Sequence, residues 1–211
     1  MKILITGYSG SGKSTLCRKL QERYELPSLH LDAVQFLPAW KTRAKTEQQR
    51  VVQAFLDEHP DGWVIDGNYK ALSYERRCEE ADVIIQMLFG RLDCLSRCLR
   101  RYRIYKGSNR LDMTEGCDEK IDWEFIRWIL WDGRKREKRD LFRLTRECYP
   151  NKAIVNRNQR DLDSYLRTLL RSHPKSTFGG VCRASFVDLG WERPRQELNL
   201  KRKDSGMNPE S

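Results

Sequence analysis

An eight-residue glycine-rich segment near the amino terminus constrains the fold of this chain more than any other feature. Residues 7–14, GYSGSGKS, match the pattern G-x-x-x-x-G-K-[ST] without deviation. Residues 2–6, with an apolar run at 3–5, precede the segment as a short buried strand, and Leu16, Leu20 and Tyr24 follow it at helical spacing. This order of strand, glycine turn and helix surrounds a bound phosphate chain with backbone N–H groups and the positive end of a helix dipole.

The residue types in the segment predict a role for each side chain. Lys13 is expected to reach between the β- and γ-phosphates of ATP, Ser14 to bind Mg²⁺, and Thr15 to donate to the α-phosphate. Backbone contacts to the phosphates are expected from Gly7, Gly10, Ser11 and Gly12. The expected cofactors are therefore ATP and Mg²⁺.

Strand and helix alternate five times along the chain, which predicts a three-layer α/β domain with a five-stranded parallel sheet. Four further strands are expected at residues 28–31, 63–66, 82–88 and 152–155. A capping box formed by Thr46 and Gln49 should open one of the helices. A long basic helix after the fourth strand is expected to bury an apolar stripe of Leu92, Leu95, Leu99 and Tyr102.

The pattern predicts one domain over residues 1–171, with a lid near residues 104–118, and a tail of unknown role over residues 172–211. Seven cysteines form an odd set without a Cys-x-x-Cys pair, so we expect reduced thiols and a cytoplasmic protein. The longest uncharged apolar run, residues 83–90, is far shorter than the roughly 20 residues of a membrane-spanning helix, so no membrane span is expected. The oligomeric state is left open.

The sequence narrows the class of nucleotide-using protein. No Asn-Lys-x-Asp segment is present, which disfavours a GTPase, and the length of 211 residues disfavours a large mechanical ATPase. A small kinase remains, and such an enzyme needs carboxylates near Mg²⁺ and cations around the transferred phosphoryl group. Asp32 and Asp66 are expected at the ends of the second and third strands, where open α/β sheets bind ligands.

These carboxylates and nearby arginines predict the catalytic set, together with Lys13. Asp32 or Asp66 would orient a magnesium-bound water, and Asp32 would also accept the proton of an alcohol acceptor, whereas a phosphate acceptor needs no base. Arg97 and Arg101 share a helix face at i, i+4 and are expected to bind phosphate oxygens. Two further arginines would close over the phosphates from the other side of the lid, Arg127 and Arg134.

Five segments together resemble a known family: GYSGSGKST, LHLDAVQFLPAW, WVIDGNY, CLSRCLRRYRIYKGSNRLDM and GCDEKIDWEFIRWI. From Met1 to about Leu170 the chain resembles the adenylate-kinase-like P-loop proteins called DNA topology modulation proteins. The resemblance implies a five-stranded P-loop kinase core, a basic lid and ATP binding, and it leaves the acceptor undefined. Similarity to nucleoside monophosphate kinases implies that Asp66 lies near Mg²⁺ and that Arg97 and Arg101 lie at the lid hinge.

The chain departs from those kinases after its third strand. Where they carry an arginine for the acceptor's phosphate, this chain has Asn68, Tyr69 and Lys70, which argues against a nucleoside monophosphate acceptor. With Asp32, an acceptor pocket is expected from Phe36, Trp40, Asn68 and Tyr69. The alternative is that Phe36 and Trp40 pack in the core under a loop. Arg157 follows the fifth strand, where adenine lies in related folds.

Two functions follow from these features. The first is an ATP-binding small-molecule kinase that transfers the γ-phosphoryl group of Mg-ATP to an unidentified acceptor, with nucleoside- or nucleotide-like compounds among the candidates. The second is an ATP-switched, nucleic-acid-binding regulator of DNA topology. It is suggested by 19 basic against 11 acidic residues in the segment 91–160 and by the basic run at 201–203.

Overall fold

The strands of the central sheet form where the sequence has short apolar runs. The computed structural model describes residues 1–105 and 121–172. Five parallel strands make up the sheet: β1 Lys2–Gly7, β2 Ser28–His30, β5 Trp63–Asp66, β6 Val83–Met87 and β7 Ala153–Asn156. Their order is β2-β5-β1-β6-β7. A small antiparallel pair is formed by β3 Phe36–Leu37 and β4 Lys41–Thr42.

Helices connect the strands. They are α1 Lys13–Tyr24, α2 Leu31–Gln35, α3 Lys45–Glu58, α4 Tyr74–Glu80, α5 Arg91–Tyr105, α6 Trp123–Leu130, α7 Arg136–Cys148 and α8 Gln159–Ser172. Short 3₁₀ turns occur at Pro38–Trp40 and Asp132–Arg134. Within residues 1–105 and 121–172, no helix has the length and apolar character needed to cross a membrane. The predicted lid and tail lie almost wholly outside the described residues.

Helices cover both faces of the sheet. Leu4 and Ile84 pack on one face with buried residues of α2, α3 and α4. Because side chains alternate along a strand, Ile5 points to the opposite face, where α1 packs and the Cys17 thiol lies 3.8 Å from the Val64 carbonyl oxygen. Burial on both faces explains why the strand sequences are continuous apolar runs. The predicted three-layer α/β fold with a five-stranded parallel sheet is confirmed.

The strand order brings the functional segments to one edge of the sheet. β1 lies between β5 and β6, with Ile5 opposite Asp66 on one side and Gly7 opposite Met87 on the other. The chain leaves β1 toward β2 and leaves β6 toward β7. The carboxyl edge between β1 and β6 is therefore the point where the direction of winding reverses, which is where open α/β sheets bind ligands.

Two local predictions in the first half of the chain are wrong. The second strand ends at His30, and Asp32 lies in the first turn of α2 because the completely buried Leu31 already belongs to that helix. The capping box is absent: α3 begins at Lys45 without a side-chain cap. Gln49 donates its amide to the Ala71 carbonyl at 3.1 Å, which ties α3 to the segment before α4.

The predicted apolar stripe of α5 is wrong at Leu92 and Leu99, whereas Leu95 and Tyr102 are half-buried. Leu92 is 77% exposed and Leu99 is 38% exposed, whereas Cys94 and Cys98 are buried. A Cβ atom added at Gly10 would lie 2.6 Å from both the Cys94 carbonyl oxygen and the Cys98 sulfur. The glycine-rich loop packs directly on this face of α5, so only small side chains fit there.

Candidate active site

The glycine-rich loop adopts a backbone that only glycine adopts without strain at three positions. Gly7, Gly10 and Gly12 have φ angles of 145°, 78° and 97°. A Cβ atom at Gly7 would collide with the Met87 carbonyl oxygen, because β1 and β6 lie side by side there. These angles let the loop turn closely between β1 and the first turn of α1.

The polar groups of the loop fit a bound phosphate chain. Lys13 donates its ammonium to the Tyr8 carbonyl oxygen at 3.1 Å, so the cation lies within the loop. Ser11 is completely buried, and its hydroxyl has no hydrogen-bond partner among the described residues. A buried hydroxyl without a partner costs about 1–3 kcal/mol, which a ligand oxygen would relieve. Ser14 is half-buried in the first turn of α1, and Thr15 is exposed.

Asn68 holds the start of the loop. Its side-chain amide accepts a hydrogen bond from the Gly7 N–H at 2.9 Å and donates to the Gly7 carbonyl at 2.6 Å. The Gly67 N–H donates to the Ile5 carbonyl at 3.0 Å, which extends the pairing of β5 with β1. The structure therefore places the Asn68 amide on the glycine-rich loop. There it makes the two hydrogen bonds to Gly7 that a backbone residue of a neighbouring strand would otherwise make.

Arg77 of α4 supports the segment that follows β5. The completely buried guanidinium donates to the carbonyl oxygens of Leu72 at 2.9 Å, Gly67 at 3.3 Å and Tyr69 at 2.8 Å. Burial lowers the pKa of Arg77 to about 10. No sequence pattern predicts this role, because an arginine next to Arg76 in a polar helix carries no signal of burial.

We expect Arg77→Lys to lower the free energy of unfolding by about 2–3 kcal/mol, because an ammonium group cannot reach three carbonyl oxygens in one plane. The matched control is Arg76→Lys, since Arg76 is partly exposed and pairs with Glu80 and Asp57 on the surface. That change should cost less than about 1 kcal/mol. Urea unfolding of both variants provides the measurement, and equal losses would contradict the assignment.

Asp66 lies at the carboxyl end of β5 and is 4% exposed. Its carboxylate lies 2.8 Å from the Nδ1 atom of His30, the residue paired with it on β2. Ser14 and Asp66 are the residues that would hold Mg²⁺, and hard oxygen ligands of this kind suit that ion.

Asp32 and Tyr69 form a second carboxylate site. The Tyr69 hydroxyl donates to the exposed Asp32 carboxylate at 2.5 Å. Burial, and then the charges of Asp32 and Asp66, raise the pKa of Tyr69 well above its ordinary value, so the phenol stays protonated and remains a donor. The rings of Phe36 and Trp40 meet edge to face at 5.2 Å.

The turn that carries Trp40 is strained. Ala39 and Trp40 both have φ angles of 59°, in the left-handed region that non-glycine residues rarely adopt. The indole nitrogen of Trp40 is buried and has no hydrogen-bond partner within residues 1–105 and 121–172. Strain and an unsatisfied donor in one turn are features that concentrate at binding sites.

Arg97 contacts the loop from α5. Its guanidinium donates to the Ser11 carbonyl at 3.4 Å and to the Gln159 side chain at 2.7 Å, and it lies 4.8 Å from the centre of the Phe89 ring. Burial lowers the pKa of Arg97, and the nearby Cys94 and Asp93 partly offset this effect. Arg101, one turn later, is half-buried.

A cleft of about 380 Å³ opens beside Arg97 at the carboxyl ends of β6 and β7. It is lined by Phe89, Asp93, Arg97, Asn158, Gln159 and Arg160. Arg157 is exposed, and its backbone N–H donates to Asp161 at 3.0 Å. The cleft thus lies near the position expected for adenine. The residues after β7 that line it are Asn158, Gln159 and Arg160, and Arg157 is not among them.

The segment that follows the predicted lid contacts the glycine-rich loop. Trp128 of α6 donates its indole N–H to the Ser9 hydroxyl at 3.1 Å. The Arg134 guanidinium lies 3.9 Å from the centre of the Tyr8 ring and donates to the Phe89 carbonyl at 3.0 Å. Arg127 pairs at 3.0 Å with Asp132 on the surface. Of the two arginines predicted to close over the phosphates, Arg134 therefore reaches the loop in this structure.

Trp128 should report nucleotide binding. Because its indole contacts the loop, we expect Mg-ATP to change the tryptophan fluorescence of the protein, and Trp128→Phe to remove most of that change. Trp123→Phe is the matched control, since Trp123 lies on the same helix and is 70% exposed. A signal that survives in Trp128→Phe and disappears in Trp123→Phe would contradict this prediction.

Comparisons with known proteins identify no family. No family model and no curated protein matches the chain. Among solved structures, it is similar to TT1252 from Thermus thermophilus, with 14% identity, a TM-score of 0.48 and coverage of 82% of this chain and 97% of that one. An unliganded sugar kinase from Janibacter has 12% identity, a TM-score of 0.44 and coverage of 81% and 92%.

An uncharacterized protein from Eubacterium ventriosum has 15% identity, a TM-score of 0.41 and coverage of 82% and 99%. A five-stranded parallel sheet with a glycine-rich loop between its central strand and the first helix is a kinase-like α/β fold.

Proposed function

We propose that this protein is a Mg-ATP-dependent kinase that transfers the γ-phosphoryl group of ATP to a hydroxyl group of a small molecule. The observation that carries the proposal is the exposed Asp32 carboxylate, which accepts a hydrogen bond from Tyr69. Asp32 lies in α2, directly after β2, the strand that pairs with β5. The resemblance of the motifs to adenylate-kinase-like DNA topology modulation proteins supports the same class of chemistry.

The glycine-rich loop and the cleft beside it would bind different parts of the nucleotide. The triphosphate would lie on the loop, with the Lys13 ammonium and the Ser11 hydroxyl as donors and the dipole of α1 directed at the phosphates. Adenine would lie in the cleft beside Arg97, whose flat guanidinium lies over the Phe89 ring, 4.8 Å from its centre, and suits a planar base. Arg97 would then link the base site to the phosphate site.

Mg²⁺ supplies positive charge that offsets the charge of the phosphate oxygens during transfer. Ser14 would contribute its hydroxyl and Asp66 its carboxylate, directly or through water. His30 fixes the orientation of the Asp66 carboxylate by its hydrogen bond at 2.8 Å.

Asp32 would act as the base for the acceptor. The proton of the acceptor hydroxyl passes to the Asp32 carboxylate, the acceptor oxygen bonds to the γ-phosphorus, and the bond from that phosphorus to the bridging oxygen breaks to release ADP. Tyr69 orients Asp32 through the hydrogen bond that its protonated hydroxyl donates. Phe36 and Trp40 offer ring surfaces for the carbon skeleton of the acceptor.

The side chains after β5 favour a hydroxyl acceptor over a phosphate acceptor. Arg77, the arginine that folds back onto this segment, is held by three carbonyl oxygens and has lost most of its capacity to bind a phosphate. Asn68 is held by Gly7. Lys70 is exposed. An uncharged hydroxyl acceptor does not need a cation to bind it, but it does need a base to accept its proton.

Labelled ATP incubated with a panel of polyols, sugars, nucleosides and nucleoside monophosphates tests the proposal. We expect an alcohol of the panel to give a phosphate monoester, which phosphorus NMR distinguishes from a phosphoanhydride. Asp32→Asn protein in the same assay is the control for a contaminating kinase. Anhydride products alone, or hydrolysis at a rate that no acceptor increases, would count against the proposal.

Nucleic-acid binding has weaker support. Two basic residues of α7 pair with acidic residues on the same helix: Arg143 with Asp140 at 3.1 Å and with Glu147 at 3.5 Å, and Arg136 with Asp140 at 3.5 Å. The acidic partners offset part of the positive charge that this helix presents to a phosphate backbone. If the protein binds DNA through its phosphates, the logarithm of the association constant should fall linearly with the logarithm of the salt concentration. A titration of duplex DNA at several salt concentrations therefore tests the second function separately from the kinase reaction.

A further inference from the structure

Three side chains from three different elements converge beside the candidate magnesium position. They are Cys17 of α1, His30 at the end of β2 and Asp66 at the end of β5. One sulfur, one imidazole nitrogen and one carboxylate oxygen from these residues all lie within 4.8 Å of one another. Cys17 is completely buried, and the His30 and Asp66 side chains are 16% and 5% exposed.

The donor atoms do not match the ion that phosphoryl transfer uses. Mg²⁺ prefers oxygen ligands in an octahedron, whereas a thiolate, an imidazole and a carboxylate are the three ligand types that zinc takes in proteins. We propose that Cys17, His30 and Asp66 bind Zn²⁺ or a similar thiophilic divalent cation, with a fourth position left for water.

The geometry requires only local adjustment. Zinc bonds of about 2.0–2.3 Å in a tetrahedron hold ligand atoms roughly 3.3–3.8 Å apart. The His30 nitrogen and the Asp66 oxygen, now 2.8 Å apart, would separate slightly, and the widest pair would draw together by about 1 Å. Because His30 and Asp66 are paired in the register of β2 and β5, the backbone stays in place and side-chain torsions make the change.

Binding exchanges one set of contacts for another. Without the ion, the Cys17 thiol contacts the Val64 carbonyl at 3.8 Å and His30 bonds to Asp66. On binding, the cation replaces the thiol proton, which passes to solvent, and it accepts electron pairs from the sulfur, the neutral imidazole and the carboxylate. The S–H bond of Cys17 breaks, and no atom changes its oxidation state.

Occupancy of this site has a consequence for catalysis that rests on the proposed function. Asp66 is also the carboxylate that would hold Mg²⁺, so one side chain would serve two ions in turn. Zn²⁺ at the trio would remove Asp66 from the magnesium position and inhibit phosphoryl transfer. Metal binding itself depends only on the three residues and not on the kinase reaction.

Cobalt provides a direct readout, because Co²⁺ bound by a thiolate gives an intense near-ultraviolet charge-transfer band. The full-length reduced protein, titrated with Co²⁺ without nucleotide or acceptor, should show one saturable band that Zn²⁺ abolishes. Cys17→Ser should remove the band and weaken Co²⁺ binding at least about 100-fold. The exposed Cys148→Ser is the matched control and should retain it. A band that persists in Cys17→Ser, or no band in the wild-type protein, would overturn the proposal.

Two further variants keep the test decisive. Cys117→Ser with Cys182→Ser should leave the band unchanged, because the proposed site uses neither thiol. If Cys17→Ser fails to fold, His30→Gln decides, since it keeps the thiol and must still weaken Co²⁺ binding; unchanged affinity overturns the proposal. The Co²⁺ titrations contain no ATP, so a negative result for metal binding is distinguishable from a negative result in the kinase assay.

Discussion

Lys13→Ala should abolish the stabilisation of this protein by Mg-ATP and lower phosphoryl transfer by about 10³-fold or more. The ammonium of Lys13 lies within the glycine-rich loop, 3.1 Å from the Tyr8 carbonyl oxygen, where it would meet the phosphates. ATP at 100 times its Kd stabilises an intact site by about 2.7 kcal/mol. For a domain of this size the midpoint of thermal unfolding should rise by about 5–11 °C, and the variant should show no rise.

Lys45→Ala is the matched control for this loss. Lys45 is exposed and begins α3 as Lys13 begins α1, so it tests the removal of a lysine from the first position of a helix. We expect Lys45→Ala to keep the full ATP-dependent shift. The same shift in Lys13→Ala would mean that ATP binds elsewhere or that the loop holds the phosphates without its lysine.

Asp32→Asn should lower turnover with an alcohol acceptor by about 10²–10⁴-fold while leaving the affinity for Mg-ATP unchanged within about twofold. Asparagine has the same shape, and its oxygen still accepts the hydrogen bond from Tyr69, so the pocket keeps its geometry. What is lost is a carboxylate that takes up the proton of the acceptor. Rates with the acceptor identified from the panel, and ATP affinity by calorimetry, give the two numbers.

Asp57→Asn is the control, because Asp57 is an exposed carboxylate that pairs with Arg76 away from the loop. It should retain wild-type turnover. If Asp32→Asn turns over at the wild-type rate, no base acts at that position, and an acceptor that needs none, such as a phosphate, becomes the better assignment. A loss of ATP affinity equal to the loss of rate would indicate a role in folding instead.

The fold was accessible from the sequence because its strands are buried on both faces. Residues 63–66 have the predicted strand bounds, and each end of the other four strands of the parallel sheet differs from its predicted bound by at most one residue. Continuous apolar runs between polar turns carry this signal. The exposure of Leu92 and Leu99 was not accessible, because the buried face of α5 is fixed by the close approach of Gly10 to Cys94 and Cys98, a contact across more than 80 residues.

The candidate site was accessible in part for a similar reason. Lys13 and the glycines belong to a local pattern whose spacing encodes the loop. Two residues of the site were not predicted, Arg77 and Trp128. Arg77 donates to backbone carbonyl oxygens, which carry no sequence pattern, and Trp128 donates to the Ser9 hydroxyl, 119 residues away. Nothing in the spacing of such residues distinguishes a buried guanidinium from a solvated one, and only the folded chain shows their partners.

Titration of Mg-ATP into the full-length protein by calorimetry tests the central claim most directly, which is that the loop at residues 7–14 binds the triphosphate of ATP. We predict a saturable heat for one site in the wild-type protein and in Lys45→Ala, and none in Lys13→Ala at the same concentrations. The absence of binding heat in the wild-type protein at several temperatures, or an unchanged isotherm in Lys13→Ala, would contradict the claim.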